Sequence, residues 1–371
     1  MKHKNILLVT SEFPPQPGGI GDHTYNVAYY LSQLGYQVCV IADNRSGSGT
    51  EEAIFDATLP FEVFRIRVTR PRVNMYLKRI KLLRAAEQNA DVVLASGKFS
   101  LWGAALCVAG KKPMVAVVHG TEVNFKNTIL NYSVDWALSR FGKIIAVSEF
   151  TKSLLPKDLQ SKTDVIPNGF NPVKWKDVQC IEVRLQGSPK LITVGHVSER
   201  KGQREVIQLL PKLQQTYPDI TYHCVGLPTE QEDCETLAKS LGVEKRVFFH
   251  GRATNDSLKA LLEDSDVFVM LSTITASGDV EGFGIALLEA NYLGIPAIGA
   301  SGCGIEDAID PGNSGFLVPL GDEAAFESAL KELLKCSDQY AETSKQWAEN
   351  HDWKVIIEQY VAVLEGVVVS S

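Results

Sequence analysis

The chain reads as an α/β protein built from two doubly wound, parallel-sheet domains, and three observations carry that reading. Apolar runs of four or five residues recur along the chain, each ending in a loop of glycine, serine or charged residues; fully buried parallel strands have this continuous character. Between them apolar residues return at helical spacing, so strands and helices alternate as in βαβ units. Periodicity is lost over residues 171–188, where Pro172, Gly187 and Pro189 interrupt it, and 371 residues suffice for two domains. We expect a first domain over residues 1–172, a second over 173–352 and a terminal helix over 353–371.

Composition limits the function classes. A net charge of −7 and an isoelectric point near 5.6 argue against a general nucleic-acid binder, and 45% hydrophobic residues can bury substantial cores. Cys39, Cys107, Cys180, Cys224, Cys234, Cys303 and Cys336 are scattered, odd in number and form no C-x-x-C pair, which reads as a reducing compartment without structural zinc. The apolar run at residues 6–9 is too short for a signal peptide, and no stretch approaches the roughly 18 apolar residues of a membrane span. The expectation is a cytoplasmic protein, soluble or peripheral to the inner face of the membrane.

Residues 6–9 are the first strand. Pro14-Pro15-Gln16-Pro17-Gly18-Gly19-Ile20-Gly21 is a loop, and Val27, Tyr30, Leu31 and Leu34 mark a helix that Gly35 stops before a second strand at 38–42. Gly19-x-Gly21-x-x-Thr24 with Asp43 imitates a dinucleotide fingerprint, but that motif turns directly after its strand and these glycines lie well past Thr10. Residues 44–60 are polar and small, which predicts a mobile loop. A strand follows at 61–68. Over 65–84 the chain carries Arg65, Arg67, Arg70, Arg72, Lys78, Arg79, Lys81 and Arg84, with Tyr76, Leu77, Ile80 and Leu83 in helical phase. One local basic helix in an acidic protein points to an anionic membrane or a phosphorylated acceptor; a solvated helix face is the alternative. Residues 92–95, 114–118 and 144–147 are further strands, His119-Gly120-Thr121-Glu122 sits at one strand end, and Ser148 is placed to cap a helix.

The second half repeats the scheme. A strand at 191–194 runs into Gly195-His196-Val197-Ser198-Glu199-Arg200-Lys201-Gly202 and then a helix, an arrangement suited to phosphate. Strands at 221–225, 247–250 and 267–271 end in Gly226, in Gly251-Arg252 and in Ser272, so their exits line one edge. A strand at 296–299 leads to the glycine-rich Ser301-Gly302-Cys303-Gly304-Ile305-Glu306-Asp307. The most informative stretch is Asp279-Val280-Glu281-Gly282-Phe283-Gly284-Ile285-Ala286-Leu287-Leu288-Glu289-Ala290. Its glycines allow a tight turn, and the N–H groups from Phe283 through Gly284 and Ile285 to Leu287 open a helix toward an anion. Glu289 lies among apolar neighbours and needs hydrogen-bond donors, which a ribose diol would supply.

Glu281, seven residues and Glu289 within a Glu-Gly-Phe-Gly turn resemble the signature of the retaining nucleotide-sugar glycosyltransferases of GT-B architecture, family 4 type. The string from Gly278 to Ile285 is most similar to the phosphatidylinositol mannosyltransferase branch. The resemblance implies two Rossmann-like domains facing a cleft, with donor on the second and acceptor on the first, and a last helix that crosses back to the first domain. It implies Gly18 and Gly19 over the donor diphosphate and His119 facing the sugar. Glu281 would hold sugar hydroxyls and Glu289 ribose. Lys201 with Arg200 would face the diphosphate, with Gly226 and Arg252 near the base and diphosphate and a closing hairpin over 312–317. His196 stands where the family has arginine, so Arg200 compensates, the imidazole binds protonated, or donor affinity is modest. The sequence shows no Asp-x-Asp of the kind that carries a metal in many other sugar transferases, so charge stabilisation by protein groups is expected, with no cofactor beyond the nucleotide sugar, GDP-mannose favoured over UDP-sugars. The acceptor would be a glycan or a lipid-linked sugar. A non-hydrolysing sugar-nucleotide epimerase and a non-catalytic sugar-nucleotide-binding protein are the alternatives.

Overall fold

The computed structural model describes residues 4–68, 70, 72–175, 178–179 and 181–369, without the side chains of Arg72 and Val369. The chain divides into one unit that ends at Gly169 and regains the chain from Trp353 onward, and another over Phe170–Asp352. The first unit contains β1 (Asn5–Thr10), α1 (Gly19–Gln33), β2 (Gln37–Asn44), α2 (Thr50–Asp56), β3 (Glu62–Arg67), α3 (Arg72–Ala86), β4 (Val92–Ser96), α4 (Lys98–Cys107), β5 (Met114–Val118), α5 (Thr128–Ser139), β6 (Lys143–Ala146), α6 (Glu149–Ser153), α7 (Lys157–Gln160) and β7 (Thr163–Val165). The second contains β8 (Lys190–Val194), α8 (Gln203–Thr216), β9 (Thr221–Val225), α9 (Gln231–Ser240), β10 (Val247–Gly251), α10 (Asn255–Glu263), β11 (Val267–Met270), α11 (Ile285–Tyr292), β12 (Ala297–Ala300), β13 (Gly315–Val318), α12 (Glu323–Lys335) and α13 (Ser337–Glu349). The last helix, α14 (Trp353–Val369), belongs to the first unit and packs on α1.

Both sheets are parallel throughout, in the orders β3-β2-β1-β4-β5-β6-β7 and β10-β9-β8-β11-β12-β13. This is the doubly wound arrangement that the apolar runs predict. In each sheet the winding reverses at the first strand, between β1 and β4 and between β8 and β11. Loops leaving the carboxyl ends there diverge and leave a crevice for ligand. Leu7, Val9, Val93, Ala95, Ala116 and Val118 are buried in the first core, which explains why these strands read as unbroken apolar runs.

Three expectations are corrected. The stretch 44–60 is not simply a loop, because α2 lies inside it. Buried Glu52 accepts the N–H groups of Arg45 (3.0 Å) and Ser46 (2.6 Å) and the Ser46 hydroxyl, so one carboxylate anchors a segment whose polarity suggested mobility. The hairpin expected over 312–317 is one strand, β13, parallel to β12; the preceding turn closes on itself through Ser314 N–H to Asp310 O (2.8 Å). The basic run over 65–84 is not one surface. Arg65 is held by Asp56 (2.7 Å), and Arg79 is buried against Asp43, while Arg67, Arg70, Lys78, Lys81 and Arg84 are exposed. Asp43, the acid of the imitation fingerprint, is thereby occupied. Cys180 lies outside the described residues, and the six described cysteines are free thiols. Among the described residues no helix is long and apolar enough to cross a membrane.

Candidate active site

The loop after β8 and the loop between β11 and α11 both start at the switch point of the second sheet, and they meet through charge. Lys201 Nζ lies 2.7 Å from Glu281 Oε2, the Arg200 guanidinium donates to the same carboxylate, and Arg200 Nε lies 3.2 Å from Asp279 Oδ2. Burial by itself would push the Glu281 carboxyl up, but the charges and hydrogen bonds of Lys201 and Arg200 outweigh it and hold the group below the ordinary glutamate value. Glu281 is thus an ionised acceptor, unsuited to donating a proton.

Backbone geometry fixes this cluster. Gly202 has φ 75°, and a Cβ there would lie 1.9 Å from the Leu271 carbonyl oxygen, so the cation-bearing loop presses directly on the end of β11. Gly202→Ala is expected to destabilise the protein by more than about 2 kcal/mol, since left-handed strain and a backbone clash add. Chemical denaturation checks this; an unchanged midpoint would contradict the close approach. Gly284, φ 87°, is the N-cap of α11, and buried Phe283 anchors the turn beneath it. The Leu287 N–H is donated to the Gly284 carbonyl (2.9 Å) and so is not one of the open donors expected there. Ile285 opens the helix.

Glu289 has a protein partner that the sequence did not suggest. Lys174 Nζ lies 2.7 Å from its Oε1 and over the Trp175 ring at 4.7 Å. The requirement for a donor was legible; a lysine 115 residues away was not. Gly226 abuts the Gly195 carbonyl, and His196 and Arg252 are exposed. The His196 carbonyl accepts from Gln203 Nε2 (3.0 Å), so its backbone shapes the loop. Gly302 N–H donates to Glu306 Oε1 (2.6 Å), which makes that acid a brace of its own loop. Asp264-Ser265-Asp266 does have Asp-x-Asp spacing, which corrects the expectation that no such pair is present. Its carboxylates accept the N–H groups of Leu185 (2.6 Å) and Lys190 (2.6 Å), a structural task. Among the described residues no group of three or more His, Cys, Asp or Glu side chains is placed for a metal ion.

In the first unit Gly18 and Gly19 stand at the start of α1, and His119 follows β5 on the same sheet edge. His119 Nε2 is 2.9 Å from Ser96 Oγ, its ring lies edge-on to His23 at 4.8 Å, and its backbone N–H donates to Glu122 Oε1 (2.6 Å). Burial lowers the His119 pKa to about 4, so the imidazole is neutral at pH 7. Burial raises Glu122 to about 7 against the pull of backbone N–H bonds. His23 Nε2 bonds Tyr360 Oη (2.8 Å), which ties α14 to α1. Ser96, His23 and Glu122 had no signal beyond polar character at strand ends or within a helix.

Two Rossmann-like units in one chain, the second with a cation–carboxylate cluster at its switch point, correspond to the GT-B architecture. The models for Glycosyltransferase Family 4 and for Glycosyl transferases group 1 match residues 17–174 and 181–352, and the chain belongs to this glycosyltransferase family. It is 26% identical to the GDP-mannose-dependent alpha-(1-6)-phosphatidylinositol monomannoside mannosyltransferase of Mycolicibacterium smegmatis, over 97% of this chain and 98% of that one. Solved structures share the fold. A glycosyltransferase from Rickettsia africae superposes with TM-score 0.78 at 18% identity, covering 100% of both chains. Anabaena HepE, solved with UDP-glucose, gives 0.72 at 20% identity over 98% of this chain and 100% of that one.

Proposed function

We propose that the protein transfers mannose from GDP-mannose, with retention at the anomeric carbon, to a glycan or lipid-linked acceptor in cell-surface polysaccharide or glycolipid synthesis. The observation that carries the reading is the Lys201–Glu281–Arg200 cluster at the switch point. Two cations are paired with carboxylates, and a diphosphate would compete for them. As Lys201 and Arg200 turn to the phosphates, Glu281 is released as an ionised acceptor for sugar hydroxyls, so donor binding itself readies the sugar contact. During transfer, charge grows on the leaving β-phosphate, and Lys201, Arg200 and the N-terminus of α11 stabilise it without a metal ion. Glu289, steadied by Lys174, takes the ribose. Neutral His119 orients the sugar by hydrogen bonding and does not act as an acid. The bond from anomeric carbon to leaving oxygen breaks, the bond to the acceptor oxygen forms on the same face, and the acceptor proton goes to a leaving phosphate oxygen. Exposed Arg67, Arg70, Lys78, Lys81 and Arg84 support peripheral contact with an anionic cytoplasmic membrane face.

The relative named for GDP-mannose favours GDP, and HepE with UDP-glucose is the reason to test UDP. GDP, UDP and ADP compared by thermal shift decide it, because a nucleotide at a hundred times its Kd stabilises the fold by about 2.7 kcal/mol. GDP is expected to raise Tm most. A rise with UDP alone would move the donor to UDP-sugars, and no rise with any nucleotide would remove the reading.

A further inference from the structure

An apolar groove of about 510 Å³ opens in the first unit among α3, α4 and α5. Its walls include Tyr76, Phe99, Trp102, Leu106, Leu130 and Trp136. A cavity of about 150 Å³ holds benzene, so this groove has room for a far longer hydrocarbon. Apolar side chains that line it stay in water: Ile129 is 78% exposed and Leu106 63%. A cluster of this kind marks a binding surface. Gly103 on α4 lines the same groove, and the position its Cβ would take has no atom within 4 Å. Alanine would suit a helix better there, and the missing side chain keeps the groove open.

Two observations select the polar end of the occupant. Arg79 lines the groove at 5% exposure and is paired with Asp43, yet its Nη1 has no hydrogen-bond partner. A buried donor of this kind calls for an acceptor oxygen. The helix that carries it, α3, exposes Lys78, Lys81 and Arg84, which complement phosphate. We propose that the groove binds one hydrocarbon chain of an anionic phospholipid, with Arg79 Nη1 donating to an oxygen of the lipid head and the basic face of α3 against the phosphate layer. This deepens the transferase reading, on which it rests, by assigning the acceptor a lipid chain held by the protein.

The test uses vesicles of phosphatidylcholine and chain-brominated phosphatidylglycerol in equal parts, with quenching of tryptophan fluorescence as the readout. The full chain is expected to be quenched, since Trp102 and Trp136 line the groove. Quenching is expected to be lost in Gly103→Phe, which fills the groove, and in the Trp102→Phe/Trp136→Phe double variant, which removes the reporters. Polyprenyl phosphate added to the vesicles tests the other occupant: undiminished quenching upholds a phospholipid chain in the groove, and recovery of fluorescence overturns it in favour of a polyprenyl chain. Absent quenching, or quenching unchanged in Gly103→Phe and the double variant, overturns the proposal. So does a dimer in sedimentation equilibrium that Gly103→Phe dissolves, because the occupant would then be a second copy. The GDP-dependent Tm rise is measured on the same variants. If it persists while lipid quenching is absent, the groove inference fails alone; if it is absent throughout, the donor reading fails separately.

Discussion

Lys201→Ala is expected to lower kcat/KM by about 10² to 10³, the usual cost of removing one preorganised group that meets developing charge. Its ammonium is 2.7 Å from Glu281 and is carried by a loop pinned through Gly202, so once donor binding has turned it from that carboxylate to the diphosphate, it is held in place as the phosphate leaves. Arg200 remains and supports residual turnover. The substitution also removes one of the charges that hold the Glu281 carboxyl down. A carboxyl with a depressed folded pKa contributes stability above its unfolded pKa and loses it as pH falls through the folded value. Lys201→Ala is therefore expected to flatten the acid limb of the stability profile, and a GDP-dependent Tm rise separates lost chemistry from lost fold. Unchanged turnover would refute the role of Lys201.

Glu122→Gln is expected to stabilise the protein by about 3 kcal/mol at pH 8 and by almost nothing near pH 4. Burial raises the Glu122 carboxyl from 4.5 to about 7, and one pH unit corresponds to about 1.36 kcal/mol. The native state then holds a proton that the unfolded state releases, so between pH 4.5 and 7 this group makes stability fall as pH rises. Glutamine keeps the acceptor for the His119 N–H and cannot ionise. His119 acts in the opposite sense: with a folded pKa near 4 against the ordinary 6.5, it lowers stability as pH falls through that window. That contribution is common to both proteins and cancels in their difference. Urea midpoints across pH check the prediction, and parallel curves for the two proteins would contradict it.

Much of the fold was legible because buried parallel strands leave a continuous apolar signature. The strands at 92–95, 114–118, 221–225 and 267–271 lie within or one residue beyond β4, β5, β9 and β11, and Ser148 caps α6 through the Thr151 N–H (3.0 Å). The helices α4 and α5 are not legible from the sequence pattern, although Asn127 caps α5 by accepting the Ile129 N–H (3.0 Å). Their outward faces are too apolar to show a polar stripe, for the same reason that a groove lies among them. At the site, glycine turns, cations and acids were visible as types and spacings. Pairing was not. That Glu281 takes both Lys201 and Arg200, or that Glu289 reaches Lys174, depends on which loops the strand order brings together, and local sequence carries no record of it. Asp264 and Asp266 illustrate the converse, a metal-like spacing spent on holding backbone N–H groups.

The central claim is transfer of an intact sugar from a nucleotide held at the Lys201–Glu281 cluster, and the most direct measurement follows the label of GDP-mannose carrying radiolabelled mannose, incubated with the protein and an anionic lipid extract. The expected result is label in the lipid fraction with release of GDP, abolished in Glu281→Gln. Label that stays on the nucleotide as an epimerised sugar, or that remains unconverted while the nucleotide is bound, would contradict it.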